Sequence, residues 1–375
     1  MNWRVPLFEP DFNQDDEKAA LQPLQDAWLT MGSRTEAFEQ AFAEKINSRY
    51  AFAVSNGTAA LHLALLAGEI KPGDEVLLPS LTFVACANVV QAVGATPVFV
   101  DVCNEEDWTI SPEDITAKIT ARTRAVIVVH YAGYPCRMDE IREISRKHHL
   151  MIIEDCAHAL VTKYGEEYCG CMGDIGCFSL FSNKNMTTGE GGVVTTQNEA
   201  LAEKLRLLRS HGMTTLTLDR HRGHAFSYDV IRVGLNYRLD EIRSSLGQSQ
   251  LNRLDSWLDL RRTVYRRYME QLSKVPFLTI PFQERDIDHT GIHIFPVLLK
   301  AANKRMAFMQ YLKGQGIQTS IHYPPIHTFT AYSEFREGAA CPVTENIAAR
   351  EVTLPFYPGM GEKVDWVCEG IRGFA

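Results

Sequence analysis

Seven short apolar runs in the first two-thirds of the chain restrict its fold more than any other feature. They are Tyr50–Ser55, Glu75–Ser80, Thr96–Asp101, Arg124–His130, Leu150–Asp155, Ile175–Leu180 and Gly192–Thr196. Most are rich in β-branched residues and show little polar alternation, as strands covered on both faces do. Helical periodicity lies between several of them, over Thr58–Ala67, Phe83–Val93, Ser111–Ile119 and Met138–His148. Strand and helix in alternation predict an α/β domain whose sheet has about seven strands and is mostly parallel.

The rhythm changes after Asn198. Glu199–Ser210 reads as an amphipathic helix, and Thr214–Tyr228 as a polar stretch carrying Arg220, His221, Arg222 and His224. A long helical pattern runs from Asp240 to Lys274. Beyond it come a strand in IHIFPVLL, a helix over Lys304–Gly314 and the segment TSIHYPP. At roughly 150 residues per domain, a chain of 375 residues has room for two domains. The boundary is placed at 245–255, inside the long helix, giving a large domain over 1–250 and a smaller α+β domain over 251–375.

Composition narrows the function classes. At 45% hydrophobic and 22% charged residues the chain is an ordinary globular mixture, which excludes disorder and low complexity. Lys and Arg number 38 against 46 Asp and Glu, a formal charge of −8, which argues against nucleic acid as a partner. The start lacks the basic and apolar regions of a signal peptide, and no run approaches the roughly 18 apolar residues of a membrane span. Nine cysteines, an odd number without an export signal, fit reduced thiols in the cytoplasm. Cys169 and Cys171, with Cys156 and Cys177 nearby, match no common zinc spacing, so no metal is expected.

Three strand ends carry the chemistry. After the first run, Ser55-Asn56-Gly57-Thr58-Ala59-Ala60 opens a helix, and a helix N-terminus offers free N–H groups to an anion. Taken alone, this reads first as an ordinary helix cap. The run Ile152–Asp155 ends in a carboxylate that can hold a protonated pyridine nitrogen, with His158 close behind. Third, Lys184 follows Ser179 in FSLFSNKNMTTGEGG, and a lysine in a partly dry crevice loses basicity and forms Schiff bases. Phosphate turn, then aspartate, then lysine, each at a strand end, is the order that lifts Lys184 above a solvated loop lysine.

These blocks, with GDEVLLPSLTFVACANVV, GATPVFVDV, VVHYAGYPCRMDEI, GLNYRLDEI and HYPPIH, resemble the DegT-type sugar aminotransferases over nearly the whole chain. Those are fold type I enzymes of pyridoxal 5'-phosphate, with a pyridoxamine form as intermediate. The resemblance implies that Lys184 is the Schiff-base lysine and proton shuttle and that Asp155 partners the pyridine nitrogen. His158 would sit near the phenolic oxygen and Phe83 would stack on the ring. Gly57, Thr58, Ala59 and Ser179 would hold the phosphate, joined by Asn236 from a neighbouring subunit. A homodimer with shared active sites follows from that last assignment. Arg220, His221, Arg222, His322 and Tyr323 fall to the substrate side.

Two positions depart from the family pattern: Cys156, where alanine is usual, and His158, where glutamine is common. The implied reaction moves an amino group from L-glutamate to a keto sugar, most often a nucleotide-linked keto-deoxyhexose, for polysaccharide or lipopolysaccharide. A non-nucleotide keto sugar such as an oxidised 3-deoxy-octulosonate stays open as acceptor. Offshoots with histidine in place of the lysine are dehydratases, and Lys184 speaks against that reaction here. A non-catalytic regulatory role would need a damaged cofactor site, whereas Thr58, Asp155, Ser179 and Lys184 are all present.

Overall fold

The structure is a computed structural model describing residues 3–215, 223, 227–336 and 338–374. Its strands are β1 (Tyr50–Val54), β2 (Glu75–Pro79), β3 (Thr96–Val100), β4 (Thr123–Val129), β5 (Met151–Asp155), β6 (Lys163–Tyr164), β7 (Glu167–Tyr168), β8 (Ile175–Ser179), β9 (Gly192–Thr196), β10 (Leu278–Thr279), β11 (Phe295–Leu299) and β12 (Glu351–Leu354). Seven of them form one sheet in the order β1-β9-β8-β5-β4-β2-β3. β2, β3, β4, β5 and β8 pair in parallel, while β9 runs antiparallel to both neighbours. The expected mostly parallel sheet is present, with one strand reversed. That reversal carries β1 back into the direction of β5 and β8, so the carboxyl ends of all three open on one edge.

Both faces of this sheet are covered. Leu61, Ala64, Val89, Val90 and Leu205 pack on one side, from the helices Gly57–Ala67, Ala85–Ala92 and Glu199–Leu208. Phe38, Phe42, Ile115 and Ile141 pack on the other, from Ser33–Lys45, Pro112–Lys118 and Met138–His148. Side-chain caps place several helix starts. Asn56 accepts from the Ala59 N–H, Asn198 from those of Ala200 and Leu201, and Asp240 from that of Arg243. Ser111 caps a helix whose first position is Pro112, where a missing N–H costs nothing.

The helix Glu241–Leu272 is 32 residues long and touches two cores. Its Leu251, Leu254 and Leu258 join the sheet core, whereas Val264, Tyr265, Tyr268 and Leu272 join a second core around the antiparallel sheet β10-β11-β12. The amino-terminal segment belongs to that second core too: Val5 is fully buried in it and bridges to Ile317. Among the described residues, no helix is long and apolar enough to cross a membrane.

Candidate active site

β5 positions the first group through its two-residue period. Glu154 and Asp155 point to opposite faces. Glu154 is fully buried and accepts from the N–H groups of Gly170, Met172 and Gly173, at 2.8, 2.8 and 2.6 Å, and from His130 Nε2 at 2.9 Å. A buried carboxylate is tolerable only with such a complement of donors. It pins the strand and turns Asp155 into the crevice. There Asp155 Oδ1 accepts from the Ala157 N–H at 3.0 Å, and Oδ2 from the Cys86 thiol at 3.1 Å.

Lys184 lies in the loop between β8 and β9. The loop folds back on itself through Leu180 N–H to Gly191 O (2.8 Å), Thr188 N–H to Leu180 O (3.0 Å) and Lys184 N–H to Phe181 O (2.9 Å). Lys184 is half-buried, and its Nζ stands 3.4 Å from His293 Nε2. Burial lowers its pKa to about 8, against an opposing pull from the Asp155 charge.

His158 is buried, with Nδ1 accepting from the Ala132 N–H at 3.3 Å and Nε2 lying 3.1 Å from the Tyr323 hydroxyl. Its ring centre is 4.4 Å from that of His293, and Phe83 meets Tyr323 at 6.0 Å. Burial, reinforced by the Lys184 charge, holds both histidines well below the usual imidazole range, so both are neutral near pH 7. His322 is pushed down to about 4 for the same two reasons. Its Nδ1 bonds Thr353 Oγ1 at 2.8 Å and its N–H bonds Glu351 at 2.9 Å, a carboxyl that burial raises to about 7.

The anion-binding turn is built by close approach. A Cβ on Gly57 would stand 2.9 Å from Ser179 Cβ, so only glycine lets the turn lie against the end of β8. Asn56 Oδ1 takes the Ala59 N–H at 2.8 Å, which commits that donor to the cap. The N–H groups of Gly57 and Thr58 precede the first intrahelical bond and remain for a ligand. Thr58 is exposed beside them. These features fit pyridoxal phosphate: a glycine cradle with open donors for the phosphate, a carboxylate for the ring nitrogen, and a half-buried amine of reduced basicity.

The proposed site residues thus divide. Asp155, His158, Lys184, Phe83, His322 and Tyr323 surround one crevice, and Gly57, Thr58 and Ser179 line its end. Asn236 is exposed, on a segment held by Leu235 N–H to Leu208 O and Tyr237 N–H to Arg209 O, both at about 3 Å. Arg220, His221, Arg222 and His224 lie outside the described residues. Among the described residues, His130, Glu154 and Cys156 come close enough together to hold a metal. Two of the three are already committed, however: His130 Nδ1 takes the Cys136 N–H, and Glu154 has the four donors above.

Residues not anticipated as site groups are His293, Asn185, Cys86 and Arg261. Arg261 is buried and donates to the carbonyls of Ile292, His293 and Phe356 at 3.4, 3.1 and 3.4 Å. Burial lowers its pKa to about 9. Asn185 adjoins the lysine, and its neighbourhood was the available signal. His293 stood in IHIFPVLL, a stretch that reads only as a strand.

Sheet order, lysine loop and glycine cradle together define a fold type I pyridoxal-phosphate enzyme. The chain belongs to the DegT/DnrJ/EryC1/StrS aminotransferase family, whose model matches residues 10–372. It is a pyridoxal-phosphate-dependent sugar aminotransferase. It is 36% identical over 372 residues to the GDP-perosamine synthase of Escherichia coli O157:H7, covering 99% of this chain and 98% of that one. PseC of Helicobacter pylori, an aminotransferase involved in the biosynthesis of pseudoaminic acid, superposes with a TM-score of 0.92 at 28% identity, covering 99% of this chain and 98% of PseC. Spr1654 of Streptococcus pneumoniae, in its PLP form, matches with a TM-score of 0.91 at 26% identity, over 99% of this chain and 98% of that one.

Proposed function

We propose that this enzyme transfers an amino group from L-glutamate to a nucleotide-linked keto-deoxyhexose, in the cytoplasm, for cell-surface polysaccharide or lipopolysaccharide. What carries the reading is Lys184, held half-buried beside Asp155, in a chain 36% identical over nearly its full length to a GDP-perosamine synthase.

Bound pyridoxal phosphate supplies an electron sink for the pair left behind when a substrate carbon loses its proton. The chain's residues do the rest. With a pKa of about 8, Lys184 is already in part a neutral amine near pH 7. Its Nζ removes the proton from the amine-bearing carbon of glutamate and, in the second half of the cycle, delivers one to the sugar carbon that gains nitrogen. Asp155 would keep the proton on the ring nitrogen, His158 would face the phenolic side, and Phe83 would cover the ring. Gly57, Thr58 and Ser179 would hold the phosphate, with Ala59 supporting the turn from within the helix.

We further infer a homodimer in which Asn236 serves the partner's phosphate. Support comes from its exposure and from the apolar company beside it: Tyr228, Val230, Ile231, Val233 and Leu235 are all exposed, Val233 at 91%. Arg220, His221, Arg222, His322 and Tyr323 would then meet the substrate's charged or hydroxyl groups. We divide the chain into 1–250 and 251–375, in keeping with the seven-stranded sheet in the first part and the three-stranded sheet β10-β11-β12 in the second, with Val102, Trp108 and Tyr131 packing on Ile294, Leu298 and Ile347 between them.

The test is spectroscopic. L-glutamate should bleach the yellow protein, and nucleotide-linked keto sugars should restore the colour of the pyridoxamine-loaded form. Restoration by free keto sugars alone would overturn the nucleotide assignment. Ketone release without glutamate consumption would mark a dehydratase instead.

A further inference from the structure

His293 is fully enclosed beside the amine on which the proposed reaction depends, and its hydrogen-bonding state can be read from its neighbours. Asn185 Nδ2 donates to the Gly291 carbonyl, which orients the amide and leaves Oδ1 as an acceptor. Asn185 Oδ1 lies 3.1 Å from His293 Nδ1, so the imidazole proton resides on Nδ1. His293 Nε2 then carries a lone pair, and Lys184 Nζ lies 3.4 Å from it. The backbone of His293 is clamped at both ends, by its N–H to Ala132 O at 2.8 Å and by Arg261 at its carbonyl.

We infer that His293 is a positioning residue for Lys184, a tautomer-locked acceptor that takes one amine N–H and thereby aims the nitrogen lone pair into the crevice. An amine nitrogen is tetrahedral, so fixing one N–H restricts where the lone pair can point. A neutral acceptor suits this task better than a carboxylate, which would hold the lysine as ammonium. Arg261, a buried cation, helps keep His293 neutral, since its charge opposes protonation of the ring. Among the described residues, the groups that Arg261 bonds are backbone carbonyls and not carboxylates, so that influence is not cancelled locally. The inference rests on the functional reading of Lys184 given above.

The decisive measurement uses the cofactor-free protein. Amine labelling of Lys184, followed by mass spectrometry across pH, should rise to a midpoint near 8 in the native chain. His293→Phe keeps an aromatic ring but removes the acceptor that favours the charged form, so the midpoint should fall by about one pH unit. His293→Gln, whose amide oxygen can accept, should bring it back. In the loaded enzyme His293→Phe should lower kcat by about 100-fold while the KM for glutamate changes little.

Asn185→Leu unlocks the tautomer without touching the imidazole. It should shift the midpoint the same way, and it serves if His293→Phe fails to fold. An unmoved midpoint in both variants, or equal kcat in His293→Phe, would overturn the proposal. Retained turnover in Lys184→Ala would strike the functional reading instead, whereas the labelling midpoint, taken without cofactor or substrate, still decides the geometry.

Discussion

The two ends of the crevice are built in opposite ways. Around Lys184, the groups that handle protons are partnered within the chain: His293 answers to Asn185, His158 to Ala132 and Tyr323, and Asp155 to Cys86 and Ala157. The other end is open. Thr58 is exposed, Phe83 is 57% exposed, and the Tyr228–Leu235 segment shows water a row of apolar side chains. Proton handling needs dryness and fixed distances, which one polypeptide supplies locally. Phosphate and substrate must enter and leave, and in our proposal the rim is finished by a second copy.

Substitutions on either side separate the two halves. Lys184→Ala should have the largest effect. Turnover should fall by about 10,000-fold or more and the visible absorbance should vanish, while the oligomeric state by light scattering stays unchanged. Val233→Asp strikes the rim instead. It should yield monomers of intact secondary structure that retain Lys184 labelling but lose most of their phosphate-anchored cofactor, a drop of about 100-fold in affinity. A dimer that persists with full affinity would undo the shared-site proposal. Gly57→Ala is the mildest. The added methyl meets Ser179 at 2.9 Å and pushes the turn away, so cofactor affinity should weaken by about tenfold, with kcat at saturation nearly preserved.

Much of this was legible in the residues, and the exceptions have physical causes. β2 and β4 are found where unbroken apolar runs place them, because a doubly covered strand cannot hide polar residues. The reversed direction of β9 was not legible, since a Val-Thr run looks the same read up or down a sheet. The helices Gln14–Gln25 and Ser33–Lys45 went unread as well. The first carries an internal Pro23 and many charged residues, and its Asp16 finds its partners far along the chain in Ser249, Gln250 and Arg253. Lys184 and Asp155 declare themselves through strand-end position and order. His293 does not, because its meaning lies in a contact across 109 residues to Lys184 that no local pattern encodes.

The Glu241–Leu272 helix brings a mechanical consequence. From its start to Arg261, which grips the His293 carbonyl, the rod spans about 30 Å at 1.5 Å per residue. A tilt of about one degree at its foot would therefore carry Arg261 by ~0.5 Å, on the scale at which misplacement becomes costly for catalysis. The Asp240 cap, which takes the Arg243 N–H at 2.9 Å, is the fulcrum of that lever, and a loosened fulcrum would be felt where the lysine works.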